Sequence, residues 1–149
     1  MRCNPLAFAT PLSLLAVAAA TGLSLAVASG PASGDQAEVE KICAEAEARY
    51  QELFGAEPVP DDVVVVKMYK YTFCPPDLEV KAGTTLRWIN VDKRTSHSVW
   101  FKEDGQEESE RLFPDEFVEL LMAEAGDFNY ICGPHGEQEK MRAKISVVP

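Results

Sequence analysis

Tyr130-Ile131-Cys132-Gly133-Pro134-His135 lies near the C-terminal end of this 149-residue chain, with Met141 six residues beyond His135. The other histidine is His97, in Thr95-Ser96-His97-Ser98-Val99. Two neutral imidazoles, one thiolate and a distant thioether are the donors that a trigonal copper site with a weak axial ligand requires, and soft sulfur discriminates against magnesium and calcium. His97, Cys132, His135 and Met141 are therefore the candidate ligands of one copper ion, three of them supplied by a single short loop.

The N-terminus bears on where that chemistry takes place. An apolar stretch without a charge, Leu6 to Ala28, follows Met1-Arg2 and ends in Ala26-Val27-Ala28 before Ser29. Small residues replace leucine toward its end, the pattern of a secretory signal peptide over residues 1–28. The same stretch is long enough to cross a bilayer as an uncleaved anchor. On either reading the rest is exported, and a periplasmic protein is expected, without stable membrane insertion once the signal is removed. About 120 residues then remain, enough for one domain with a core of its own.

The chain carries 24 acidic and 14 basic residues. Removing Arg2 with the signal leaves 24 against 13, a formal charge of −11. A nucleic-acid partner is not expected. Acidity of this kind suits encounter with a positively charged protein, and it serves solubility equally well. Cys3 leaves with the signal, and Cys43, Cys74 and Cys132 remain. In an oxidising compartment an odd count predicts one disulfide and one thiol with another use. Cys132 is the thiol so used, which makes Cys43–Cys74 the candidate bridge.

Residues 29–62 form a linker and a helix. Ser29 to Asp35 is rich in Gly, Pro and Ser. From Ala37 to Phe54 the residues Val39, Ile42, Cys43, Ala46, Tyr50, Leu53 and Phe54 recur at three- and four-residue intervals, and Gly55 is a stop signal. Asp35 with Glu38 gives a capping start. This amphipathic helix is either docked on the main domain or a solvated extension. From residue 63 to 149 the pattern is one of strands: Val63 to Phe73, Leu78 to Val80, Thr84 to Val91, Ser98 to Phe101, Phe117 to Met122, Phe128 to Cys132 and Lys144 to Val148. About seven short strands in a hundred residues predict an all-β sandwich or barrel.

The segment from about Val63 to Val148 resembles a cupredoxin of the plastocyanin, pseudoazurin and amicyanin group. Tyr71-Thr72-Phe73-Cys74-Pro75, Leu78 to Thr85, Trp88-Ile89-Asn90 leading to His97, and Gly126 to Tyr130 leading into the Cys, His and Met loop stand in family order. The resemblance implies a Greek-key β-sandwich, here with an added N-terminal helix. It implies His97 and His135 as imidazole ligands, Cys132 as the thiolate ligand and Met141 as the long axial ligand of one type 1 copper.

Three features depart from the group. Five residues, Gly136 to Lys140, separate His135 from Met141, where plastocyanins have four and amicyanins two, and Glu137 and Gln138 in that loop could offer oxygen instead. Ser98 stands where relatives usually carry an asparagine that hydrogen-bonds across to the copper loop. The helix and its candidate disulfide are additions to the simple carriers of the group.

Copper nitrite reductases and multicopper oxidases need further centres ligated by several histidines, and here both histidines are committed, so an enzyme is not expected. The resemblance implies a monomeric electron carrier with a redox partner such as a cytochrome, its electrons passing at the edge of His135. The Lys102 to Glu116 loop, with seven carboxylates, is a candidate docking surface or an ordinary solvated loop. The other function open to the sequence is a periplasmic copper-tolerance protein that binds or oxidises excess copper.

Overall fold

The computed structural model describes residues 34–55 and 57–149. The expected signal segment lies outside the described residues. Among the described residues one α-helix, α1 (Gly34–Phe54), precedes seven strands: β1 (Val63–Tyr69), β2 (Thr72–Cys74), β3 (Asp77–Lys81), β4 (Thr84–Asn90), β5 (Phe117–Met122), β6 (Gly126–Ile131) and β7 (Arg142–Val148). They form two sheets, one in the order β2-β1-β4-β5 and the other β3-β7-β6. β1 pairs with β4, and β3 with β7, in parallel; the remaining pairs are antiparallel. This is the β-sandwich expected from the strand pattern. Among the described residues no helix is long and apolar enough to cross a membrane.

Alternation sets the inner faces. Val66 and Met68 of β1, Leu86 and Trp88 of β4, Tyr130 of β6, and Ile145 and Val147 of β7 all point into one buried cluster. Aromatic rings fill its centre, with Trp88 and Phe101 each packed against Tyr130. The first pair meets edge-to-face and the second is tilted at 36°, and such offset aromatic contacts add to what ring burial alone provides. Cys132 and Met141 belong to the same cluster, so the ligand loop is rooted in the core.

Trp88, Ile89 and Asn90 are buried in succession, which alternation alone does not allow. Their strand is covered on both sides. Ala46 and Tyr50 of α1 are buried against Ile89, Val91 and Cys74, with Ile42, Leu53, Phe54, Val65 and Tyr69 around them. The helix is therefore docked on the outer face of the four-stranded sheet and is no solvated extension. Lys67, facing the helix from β1, pairs with Glu47 at 2.6 Å and lies over the Tyr50 ring. The disulfide Cys43–Cys74 is present, with Cα atoms 5.2 Å apart, and ties α1 to β2.

Three expectations are corrected in detail. The helix starts at Gly34, so Asp35 lies in its first turn, where a negative charge faces the helix dipole favourably, and does not precede it as a cap. The run Val63 to Phe73 is two strands, folded back at Lys70 and Tyr71, which take left-handed φ of 46° and 59°. Neither residue is Gly, Asn or Asp, so the usual hairpin signal is missing. The Ser98 to Phe101 segment forms no continuous strand and pairs in the sheet manner through isolated bridges, His97 to Leu112 and Trp100 to Ile131.

Candidate metal centre

His97 and Cys132 come from segments 35 residues apart and meet because Trp100 bonds Ile131 in both directions, Trp100 N–H to Ile131 O at 2.9 Å and the reverse at 3.0 Å. Asn90 prepares the approach to His97. Its buried side-chain amide donates to Thr95 O at 2.8 Å and Leu112 O at 2.9 Å, and its oxygen accepts from Asp92 N–H. A fully satisfied buried amide fixes the loop from residue 91 to 96.

One donor atom from each of His97, Cys132 and His135 lies within 4.8 Å of the other two. Cys132 Sγ is 3.7 Å from His97 Nδ1 and 3.3 Å from His135 Nδ1. Metal bonds of about 2.0 Å to nitrogen and about 2.3 Å to sulfur, placed trigonally, would set such donors about 3.5–3.8 Å apart. The His97 separation falls in that range and the His135 separation is a few tenths of an ångström short of it, so a small outward shift of His135 would fit the donor set to a trigonal metal. His97 and Cys132 are fully buried, while His135 is partly exposed.

Met141 is buried beside Cys132, whose N–H donates to Met141 O at 3.0 Å. The five-residue spacer coils into helical turns. Gly136 N–H bonds Cys132 O at 2.6 Å, Glu139 N–H bonds His135 O at 3.0 Å, and Lys140 closes the coil at φ 55°. The extra length is absorbed there, and Met141 returns to the core. Glu137 and Gln138 are exposed, and Glu137 faces Lys102 and Arg142, away from the role of oxygen ligand.

Asp92 went unread in the sequence. Its carboxylate lies 3.0 Å from His97 Nε2 and also accepts the Lys70 N–H at 3.0 Å. The contact leaves Nδ1 as the nitrogen facing Cys132, and carboxylates that hold an imidazole in this way orient metal-ligating histidines. Burial opposes charge on His97, but its hydrogen bonds to Asp92 and Cys132 outweigh it and hold the imidazole above its usual value. Burial likewise raises Cys132, and contact with His97 and the Ser98 N–H reverses this, so the thiol is shifted down. Burial and the neighbouring His97 and Arg111 push His135 down.

Tyr71, read in the sequence as part of a strand motif and not of the site, lies edge-on to both imidazoles, with its ring 4.9 Å from that of His135 and 6.4 Å from that of His97. Ser98 does make a cross-link to the ligand loop. Its Oγ accepts the Gly133 N–H at 3.0 Å and donates to Glu108 Oε1 at 2.6 Å. No sequence signal connects Asp92, Tyr71 or Glu108 to the site, because each reaches it only through the tertiary fold.

A sequence model of copper-binding proteins, the plastocyanin/azurin family, matches residues 61–148. Amicyanin from Paracoccus versutus is 34% identical over 97 residues, which cover 62% of this chain and 70% of that protein. The solved structure of an oxidised amicyanin variant gives a TM-score of 0.54 at 30% identity, over 60% of this chain and 86% of that one. The Cu(I) form of another variant also gives 0.54, at 31% identity and the same coverage. The helix α1 precedes the matched residues.

Proposed function

The chain belongs to the plastocyanin/azurin family of copper-binding proteins, and from that premise we propose that His97, Cys132, His135 and Met141 hold its single copper and that it carries electrons one at a time between exported redox proteins. The convergence of two imidazole nitrogens and one sulfur within 4.8 Å carries the reading. Bound copper supplies a one-electron couple between Cu(II) and Cu(I). The chain supplies a fixed cage: Asp92 orients His97, the core holds Cys132 and Met141, and the coiled spacer sets the distance between His135 and Met141 along the chain. Donors fixed in this way change little between the two charge states, which favours rapid exchange.

His135 is the electron port, since it is the partly exposed ligand and lies beneath Tyr71. The protein is read as a carrier and not an enzyme, because both histidines and the one free thiol among the described residues are used in a single site. An exported, periplasmic setting is supported by the disulfide and by the leader pattern. The partner is a redox protein such as a cytochrome.

Visible absorption of the purified protein titrated with Cu(II), beside Cys132→Ser, tests the centre. The expected result is an intense thiolate-to-copper band that saturates at one equivalent and is absent in the variant. A colourless wild type would overturn the reading.

A further inference from the structure

We propose that Glu108 is a positioning residue of the metal centre, whose carboxylate holds the Cys132 loop through Ser98 and places a fixed negative charge beside it. The inference rests on the copper reading above. The Ser98 hydroxyl is buried and has two bonds to make. It gives its proton to Glu108 Oε1 at 2.6 Å and takes the Gly133 N–H at 3.0 Å. Donation to an ionised carboxylate strengthens the hydroxyl oxygen as an acceptor, since linked hydrogen bonds polarise one another. A chain of bonds thus runs from Glu108 to the residue immediately after Cys132.

Shape supports the same assignment. A Cβ at Gly133 would clash with the Glu108 carboxylate, so that carboxylate packs directly against the backbone of the ligand loop. The segment carrying Glu108 is fastened on its other side, where Ser109 N–H bonds Val99 O at 2.9 Å and Ser109 Oγ accepts the Val99 N–H at 2.9 Å. Arg111 Nε, 4.0 Å away, partly offsets the charge, and the Glu108 side chain is about one-third exposed, so solvent screens some of what remains. Ser98 and Glu108 together make the link that a longer polar side chain at position 98 would make alone.

Removing negative charge beside the centre disfavours Cu(II), the more positive state. Glu108→Gln keeps the shape and an acceptor oxygen but removes the charge. With the full chain loaded with copper(II) sulfate, Glu108→Gln is expected to shift the Cu(I)/Cu(II) ratio at a fixed potential at least about threefold toward Cu(I), about 30 mV for one electron, with the absorption band unchanged. Glu107→Gln, the same charge change on the exposed adjacent residue, is the control and should move the ratio much less. In protein treated with a chelator, Glu108→Ala should speed hydrogen exchange at the Gly133 amide several-fold, and Glu108→Gln should restore it. Equal shifts for Glu108→Gln and Glu107→Gln, or Gly133 exchange indifferent to Glu108→Ala, would overturn the proposal. A wild type without colour would instead remove the copper reading itself.

Discussion

Asp92 sets what a metal bound at His97 would have to displace. With the metal stripped by a chelator, folding favours a protonated imidazole between the Asp92 carboxylate and the Cys132 sulfur, because those contacts outweigh burial. A raised pKa contributes stability that is fully present below about pH 6.5, the unfolded value, and is lost as pH rises through the folded one. Asp92 runs the opposite way. Burial would raise it, but bonds from His97 and the Lys70 N–H leave it lowered, so its contribution holds above about pH 4 and fails as pH falls through its folded value. Copper held by His97 would take the place of a proton on the imidazole. Calorimetry at pH 6 in buffers of different ionisation heat should therefore show proton release on copper binding, with affinity rising as pH increases. Absence of release at pH 6 would mean that the His97 imidazole and the Cys132 thiol have both already lost their protons. Asp92→Asn should lower copper affinity about 10- to 100-fold, the usual cost of losing such a partner, as read by competition with a chelator of known strength.

Among the elements, the disulfide and the coiled spacer make separable contributions. Cys43–Cys74 closes a loop with a sequence separation of 31, and constraint of the unfolded chain predicts about 3–4 kcal/mol of stability. The double variant Cys43→Ala, Cys74→Ala should lose about that much in denaturant titration while keeping the copper band, since neither residue lies in the donor cluster. Gly136 packs without a Cβ against Cys132 O and Ile131, so Gly136→Ala pushes on the ligand loop backbone and should alter the band before it alters the melting temperature. What was legible at this scale came from local chemistry. Cys132, His135 and Met141 share one loop, the helix has a plain apolar stripe, and a three-cysteine count singles out Cys43 and Cys74 once Cys132 is assigned. What was not legible depends on who sits opposite. Lys70 and Tyr71 turn the chain without the residues that such turns prefer, held there by Asp92 and by the helix residue Glu45. Glu108, read only as one of seven acids in a loop, belongs to the Cys132 loop because Ser98 connects them.

For the whole molecule, charge and packing decide how a partner is met. Of the seven acids between residues 102 and 116, Glu103 faces Asn129, Glu108 binds Ser98 and Glu116 accepts the Phe113 N–H, so the loop's charge is in part spent on its own folding. Glu107 and Glu110 are exposed and are the better test of docking. Changing both to Gln should slow association with a cationic cytochrome at low ionic strength and leave the rate nearly unaltered at high salt. A low-salt rate equal to that of wild type would remove the docking role. The helix raises a different matter, one for whoever expresses the protein. The match to the family model begins at residue 61, and a gene trimmed to that boundary would keep every motif of the copper site. It would nonetheless encode a sandwich stripped of its third layer, with Ile89, Val91, Val65 and Tyr69 bare to water and Cys74 left as an unpaired thiol. Such a product is expected to precipitate or cross-link through Cys74, whereas a gene that keeps α1 should yield soluble protein, a difference that sedimentation of the two expressed products would read.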